Sequence, residues 1–206
     1  MHSPGDESFR YQAIPEARQK MAYASHRKFV VCNLLQIVTP SYEGCVWASD
    51  FTEIVFRGKK LFLATVIDAY TREIVGAAVS TTHNAALILS ALGNALLAHP
   101  RCAIFHSDNG VEYNAKATRA FLHSLTIAIS RSKKGCPWEN GYQESFYAQF
   151  KVDLGDPNRF GSVGELVAEI YHVIHVYNTT RIHSALKMSP AQFAQLHALA
   201  TMQSIV

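Results

Sequence analysis

The chain has 206 residues, of which 49% are apolar and 17% are charged, and its formal net charge is +3 with a pI near 8.7. A chain of this size can bury one core, and this apolar content excludes a wholly disordered protein. The apolar runs are shorter than the roughly 18 residues that a membrane span needs, and the polar start MHSPGDESFR is not typical of a signal peptide. We therefore expect a cytoplasmic protein with no membrane partner.

Residues 1–40 precede the regular pattern and are predicted to be an N-terminal extension. Pro15 could begin a basic helix, which the apolar stretch FVVCNLLQIV follows. Two interpretations stay open: an arm or the end of an upstream region that touches DNA, or a helix packed on the core with its cations in solvent.

Three β-rich runs begin at Cys45, namely CVWASDFTEIVF, KLFLATVIDAY and EIVGAAVS. The separators are short and polar, which predicts an antiparallel meander. The next run, NAALILSALGNALLAH, has the composition and length of a helix. A short strand CAIFHS, a helix over residues 115–124 and a second strand TIAIS then give a pattern typical of a mixed sheet covered by helices.

The C-terminal third is predicted to be helical after one irregular segment. Residues 131–138, RSKKGCPW, have no periodicity and contain three cations, so we interpret them as a basic loop. A helix over residues 139–154 follows. Ser162 and Glu165 form a capping box for the next helix, and Ser189–Pro190 is a start signal for the last one. The capped helix has one apolar face, made of Leu166, Ile170, Val173, Ile174 and Tyr177.

Two aspartates occupy positions where a functional carboxylate is expected. Asp50 lies inside the first β-rich run, in WASDFTEI, where an unpaired charge is costly. Asp108 directly follows the strand CAIFHS, in HSDNGVEY, at the strand end where open α/β sheets place ligand-binding groups. Taken singly, Asp50 is better explained by a solvated strand face, and Asp108 by an Asp-Asn-Gly turn.

A third acidic residue, Glu144, lies in ENGYQESFYAQFK. On a helix, Glu144, Tyr147, Ala148 and Lys151 share one face, and Lys151 lies roughly 10 Å along it. That separation suits a cation that contacts DNA near a carboxylate, although an exposed helix face with unrelated charges has the same pattern.

The blocks WASDFT, HSDNGVEY and PWENGYQESFYAQFK resemble the three signature blocks of the integrase catalytic core (DDE) superfamily. They look most like the catalytic polypeptide of bacterial insertion-sequence transposases related to retroviral integrases. Thirty-five residues separate Asp108 from Glu144, the interval characteristic of that family, and Lys151 also fits its pattern. The tail resembles the family's closing block at Tyr177, Asn178, Arg181, His183, Leu186, Pro190 and Phe193.

The resemblance implies an α/β, ribonuclease-H-like fold: a five-stranded mixed sheet with helices on both faces. It also implies that Asp50, Asp108 and Glu144 are catalytic residues and ligands of two Mg²⁺ ions, for which Mn²⁺ can substitute. The expected reaction is DNA strand cleavage followed by strand transfer through transesterification, during transposition.

The expected domains are an extension over residues 1–40, an integrase core over residues 41–195 and a tail over residues 196–206. Expected partners are transposon ends, target DNA, further copies of the chain and a separately encoded helix-turn-helix protein, since the first 40 residues hold at most the end of such a region. The basic residues expected to contact DNA are Lys151, Arg131, Lys133 and Lys134.

Two alternatives remain from the sequence alone: a nuclease of the same fold that only hydrolyses nucleic acid, and a catalytically silent DNA-binding remnant. Ile182 stands where the family's closing block usually has proline, and we expect only a local conformational effect.

Overall fold

Five strands form one mixed sheet in the computed structural model, which describes residues 31–133 and 140–203, with backbone alone from 199 onward. The strands are β1 (Val46–Phe56), β2 (Lys59–Asp68), β3 (Ile74–Ser80), β4 (Ile104–Ser107) and β5 (Ala128–Arg131). Their spatial order is β3-β2-β1-β4-β5. The first three strands pair antiparallel, and β4 and β5 add in parallel beyond β1. The predicted meander and mixed sheet are confirmed.

Helices cover both faces of this sheet. Those of the described chain are α1 (Ala85–Ala98), α2 (Val111–Asn114), α3 (Lys116–Ser124), α4 (Gly141–Leu154), α5 (Val163–Thr179) and α6 (Pro190–Gln203). Gly76 of β3 lies against α1, whereas its neighbour Ala77 belongs to the apolar cluster formed with α4 and α5. Successive strand residues point to opposite faces, so α1 and the α4–α5 pair lie on opposite sides. The expected α/β architecture is confirmed.

The larger apolar cluster joins the α4–α5 pair to β1, β2 and β3. Its helical members include Phe146, Phe150 and Leu154 of α4. The face of α5 that the sequence predicts is the face that is buried: Leu166, Ile170, Val173, Ile174 and Tyr177. Burying each such side chain contributes about 1.5–3 kcal/mol, so this cluster fixes α4 against the sheet.

The predicted helix starts are also present. The Ser162 hydroxyl accepts a hydrogen bond from the Glu165 amide at 3.2 Å. The Glu165 carboxylate accepts from the Gly161 amide at 2.8 Å, one residue before the donor of a standard capping box. Ser189 accepts from the Gln192 amide at 3.4 Å at the start of α6.

The segments that flank the sheet are also packed or regular. The residues from Cys32 onward form one compact unit. Leu34 is buried, and its amide donates to the Ser130 hydroxyl at 2.9 Å, so the segment from Cys32 packs on β5. At the other end α6 extends through Gln203. The domain divisions expected at residues 40 and 195 stay predictions.

The helix predicted over residues 115–124 is confirmed as α3 (Lys116–Ser124). A separate short helix, α2, precedes it, and the extended backbone of Ala115, with ψ 143°, separates the two. In the described part of the chain, no helix is both long enough and apolar enough to cross a membrane.

Gly76 gives a test of the packing between α1 and the sheet. A Cβ at this position would overlap the Ala91 carbonyl oxygen and lie 2.8 Å from the Ala95 Cβ. We expect Gly76→Ala to lower the free energy of unfolding by about 1–3 kcal/mol, because two backbones would have to separate.

Gly93→Ala is the matched control, measured by the same urea titration. Gly93 lies inside α1, and a Cβ added there would have open space around it, with no neighbouring atom within 4 Å. Alanine there should stabilise the protein by about 0.5–1 kcal/mol through helix propensity. If Gly76→Ala also stabilised the protein, the close approach of β3 to α1 at Gly76 would be contradicted.

Candidate active site

The parallel pairing of β1 with β4 brings two predicted site residues to the same level of the sheet. Ala48 of β1 lies opposite His106 of β4. Continuing this register by two residues sets Asp50 level with Asp108, which follows β4. Adjacent strands lie about 4.8 Å apart, so the two aspartates occupy neighbouring positions where β4 ends.

The loop that carries Asp108 is fixed by hydrogen bonds. The Asp108 carboxylate accepts from the Gly110 amide at 2.9 Å, which makes the predicted Asx turn. The Asn109 side chain donates to the Ser132 carbonyl at 2.7 Å and so joins the loops that follow β4 and β5. The buried hydroxyl of Tyr113 lies 3.0 Å from that of Ser49 on β1. Asp108 therefore projects from a loop that is held to both neighbouring strands.

The third carboxylate, Glu144, is exposed in the first turn of α4. A helix N-terminus favours negative charge at this position. Beside it the fully buried Gln143 side chain donates to the Ala48 carbonyl at 2.7 Å and the Thr65 carbonyl at 3.2 Å. Its oxygen accepts from the Thr65 hydroxyl at 2.7 Å.

Tyr147 makes a second connection from α4 to β1. Its hydroxyl donates to the carbonyl of Asp50 itself at 2.7 Å and lies 2.8 Å from the Thr65 hydroxyl. Thr65 lies directly opposite Asp50 across the β1–β2 ladder. The backbone of Asp50 and the helix turn that carries Glu144 are thus joined through one buried polar network.

The pKa of Asp50 reports the charges around it. That pKa is raised to about 6, chiefly by burial and also by the negative charges of Asp108 and Glu144, while a hydrogen bond from the Phe51 amide opposes the shift. The three carboxylates therefore lie in one electrostatic neighbourhood. Among the described residues, however, no three His, Cys, Asp or Glu side chains are gathered closely enough to hold a metal ion.

The four basic residues predicted to contact DNA have different surroundings. Lys151 is exposed on α4 in line with Glu144 and Ala148, but Tyr147, expected on the same face, is turned into the core. Lys133 is exposed, and Lys134 lies outside the described residues.

Arg131 does not belong to a basic loop, because it is the last residue of β5 and only 1% exposed. Its guanidinium donates to the carbonyls of Tyr113 at 2.9 Å and Ser130 at 3.0 Å. Burial lowers its pKa to about 10, and the nearby charges of Tyr113 and Asp108 oppose that shift. Arg131 holds the segment after Asp108 from inside the protein, so its prediction as a DNA contact is wrong.

Sequence reasoning missed the residues that support the site: Thr65, Tyr113, Gln143 and Tyr147. One signal was present for the helix. The buried positions of α4 include 143, 147, 150 and 154, which follow a helical repeat. A glutamine and a tyrosine in an otherwise apolar stripe indicate buried hydrogen bonds, because an unpaired amide there would be costly.

Asp50→Asn tests whether ionisation of Asp50 destabilises the folded protein when no metal ion is present. A carboxyl with a raised folded-state pKa contributes stability at low pH that is lost as the pH rises through that pKa, here about 6. We expect Asp50→Asn to be more stable than the wild type by about 1–3 kcal/mol near pH 8, with the difference closing towards pH 4.

Thermal unfolding across this pH range measures the difference. Glu53→Gln is the control, because Glu53 lies exposed on the same strand in an ion pair with Lys60 and should change stability by less than about 1 kcal/mol. If Asp50→Asn were less stable than the wild type near pH 8, ionised Asp50 would not destabilise the folded protein.

Tyr147→Phe tests the connection between α4 and Asp50. Removing the hydroxyl leaves a buried carbonyl without its partner, so we expect a loss of about 1–2 kcal/mol in the free energy of unfolding. Tyr171→Phe is the matched control, since Tyr171 is a more exposed residue whose hydroxyl makes only a long contact of 3.4 Å with the Ala77 carbonyl. Equal losses in the two variants would argue against the network.

Two family models, each described as an integrase core domain, match residues 41–137 and 125–190. The transposase for insertion sequence element IS904 of Lactococcus lactis is 33% identical over 170 residues, covering 79% of this chain and 66% of the relative. The transposase InsF for insertion sequence IS3A of Escherichia coli is 34% identical over 178 residues, covering 84% of this chain and 62% of the relative. The chain thus spans a little under two thirds of the length of these relatives.

Solved structures with low identity share the fold. The HTLV-2 integrase catalytic core domain in complex with magnesium superposes with a TM-score of 0.64 at 16% identity, covering 74% of this chain and 97% of that one. A chain of the simian T-cell lymphotropic virus intasome in complex with PP2A regulatory subunit B56 gamma gives a TM-score of 0.66 at 16% identity, over 74% of this chain and 55% of that one. These likenesses confirm the ribonuclease-H-like fold. With adjoining matches that together run from residue 41 to residue 190, the chain belongs to the integrase core domain family and is similar to insertion-sequence transposases.

Proposed function

We propose that this chain is the catalytic part of a DNA transposase, which cleaves and joins DNA strands at one site formed by Asp50, Asp108 and Glu144. One arrangement supports the proposal. The register of β1 with β4 puts Asp50 and Asp108 at the same height in the sheet. Hydrogen bonds from Gln143 and Tyr147 then hold α4, which carries Glu144, to the carbonyls of Ala48 and Asp50. Three signature carboxylates from distant parts of the chain thereby share one electrostatic neighbourhood.

The donor set fits divalent cations, and we propose Mg²⁺, with Mn²⁺ as a substitute. Three carboxylates supply the hard oxygen ligands that Mg²⁺ prefers, and the solved HTLV-2 relative is a complex with magnesium. The charges that raise the pKa of Asp50 would be relieved by a bound cation. Two such ions, when bound, activate the attacking oxygen and stabilise the leaving oxygen of a phosphodiester.

The proposed reaction has two displacements at phosphorus. In the first, a water oxygen forms a bond to the phosphorus at the element end, and the bond to the 3′ oxygen breaks to leave a 3′-OH. In the second, that 3′ oxygen attacks a phosphodiester of target DNA, and the target's own 3′ oxygen leaves with a proton. One phosphodiester replaces another, so the joining step needs no nucleotide cofactor.

The protein's contribution is to orient the three carboxylates before DNA arrives. Tyr147 and Gln143 restrict α4, and so limit the positions that Glu144 can take relative to Asp50. Tyr113 and Arg131 restrict the Asp108 loop in the same way. Fixed ligands lower the cost of organising charge around the reacting phosphate.

The proposed DNA contacts are the exposed cations near this site. Lys151 lies two turns beyond Glu144 on the exposed side of α4, where it can pair with a backbone phosphate. Lys133 follows β5 next to the loop of Asp108, and Lys134 continues the same basic segment. Such contacts would make binding depend on salt concentration.

Recognition of the element ends and assembly belong to the proposal as well. The matched relatives extend beyond the region shared with this chain, and the simian virus neighbour is described as an intasome. We propose that several copies act on paired DNA ends in the bacterial nucleoid, with a helix-turn-helix region supplied by a further segment or a separate protein.

A strand-transfer assay tests the reaction. The full chain is incubated with Mg²⁺, a model element end and a supercoiled target, beside Asp108→Asn. We expect joined products from the wild type and a loss of at least about a hundredfold in the variant, with DNA binding unchanged, because the variant lacks one carboxylate ligand.

The alternatives give different products in this assay. Nicked DNA without joined products would support a nuclease that only hydrolyses. Binding without any reaction, in Mg²⁺ or Mn²⁺, would support the catalytically silent remnant. Joined products at the wild-type rate from Asp108→Asn would contradict the assigned site.

A further inference from the structure

A pocket of about 640 Å³ lies apart from the three carboxylates, none of which lines it. Its walls come from the segment before β1, the turn between β2 and β3, the start of α4 and the tail after α5. A volume of several hundred Å³ is typical of sites that bind small organic molecules. No part of the proposed strand-transfer chemistry uses it.

The cation in this pocket is Arg72. Its backbone is in the left-handed region, with φ 66°, which is unfavourable for a residue with a side chain. Its guanidinium lies over the ring of Tyr142, 4.1 Å from the centroid, and its Nε is buried without a hydrogen-bond partner. No carboxylate of the described residues forms a salt bridge with Arg72. Because no carboxylate of the described residues neutralises it, the guanidinium has charge available for an anion that enters the pocket.

Further hydrogen-bond donors surround Arg72. Burial raises the pKa of Tyr177 to about 12, against the charges of Arg72 and Arg181, so its hydroxyl keeps its proton. The Nδ1 of His183 accepts from the Ala185 amide at 3.3 Å, which leaves the proton on Nε2. Burial first, and then Arg72, lower the pKa of His183, so it is a neutral donor at neutral pH.

The start of α4 also favours an anion in the pocket. Gly141 begins the helix in the pocket wall, and no side chain caps the helix there. The positive end of a 14-residue helix thus faces the same space, and Ser145 contributes a hydroxyl at the rim. None of the described residues that line the pocket is acidic. A guanidinium and neutral donors that approach from several elements suit an oxyanion with several oxygens.

We propose that this pocket binds the phosphate group of a nucleotide, with Arg72 as its main contact. The planar guanidinium pairs with phosphate through two parallel hydrogen bonds. Leu35, Val38 and Ile67 supply an apolar wall for the sugar or base. The nucleotide is either a free molecule or one unit of a DNA strand, and both sources present the same group.

Direct binding measurements test this assignment on the full chain in buffers freed of divalent cations by a chelating resin. The probes are inorganic phosphate, a deoxynucleoside 5′-monophosphate and a short single-stranded DNA. Arg72→Gln should bind the probe at least about tenfold more weakly than the wild type, because a charge-assisted hydrogen-bonded pair is lost.

Arg57→Gln is the matched control. Arg57 also has a left-handed backbone, with φ 47°, and also lies over an aromatic ring, that of Phe56, but it does not line the pocket. Its binding should stay within about twofold of the wild type. Ser145→Tyr, a change at an exposed rim position that fills the pocket, should also weaken binding, and it decides the question if Arg72→Gln does not fold.

The outcomes separate the two sources. Arg72-dependent binding of phosphate and the monophosphate assigns the pocket to a free nucleotide, whereas Arg72-dependence with the DNA strand alone assigns it to DNA. Equal binding by the wild type, Arg72→Gln and Ser145→Tyr, or equal losses in Arg72→Gln and Arg57→Gln, would overturn the proposal. These binding measurements are made without divalent cations. Their results therefore do not depend on whether the chain carries out strand transfer.

Discussion

The attachment of α4 to β1 is the interaction on which the site depends. Gln143 and Tyr147 are buried polar side chains whose hydrogen bonds end on the Ala48 and Asp50 carbonyls and on Thr65. Each net contribution is only about 0.5–1.5 kcal/mol, but leaving any partner unpaired would cost more. The helix therefore has one favourable position along the strand, and that position fixes where Glu144 stands relative to Asp50.

The site sets like charges together at the expense of stability. Asp50 is partly buried, and two other carboxylates add to the cost of ionising it, which is why its pKa is raised to about 6. The surrounding structure resists relaxation, because Tyr113 and Arg131 hold the Asp108 loop while the apolar cluster holds α4. In the proposed function, bound cations would relieve this mutual repulsion. The guanidinium of Arg72, which lies over the ring of Tyr142, is the opposite case, a cation that we propose to bind an anion.

Much of this could be predicted from the sequence, and the failures have physical causes. Periodicity and turn chemistry predicted the five strands and the buried face of α5. The signature blocks predicted the family, and their assignment of Asp50, Asp108 and Glu144 as catalytic residues stays a prediction. Arg131 was misplaced because a basic residue beside glycine and proline is typical of a loop, whereas pairing of β5 with β4 and two carbonyl acceptors bury it. Gln143 was missed because only the folded sheet reveals which carbonyls it reaches, and the pocket at Arg72 joins segments that no local pattern connects.

Binding of Mn²⁺, measured by calorimetry, tests most directly whether the three carboxylates form one site. Asp50→Asn, Asp108→Asn and Glu144→Gln are compared with Glu53→Gln, which removes an exposed carboxylate from the same strand as Asp50. Each of the three site variants should bind Mn²⁺ at least about tenfold more weakly, with the control unchanged, because each removes one ligand of the shared ions. Wild-type affinity in any of the three would contradict a single shared site.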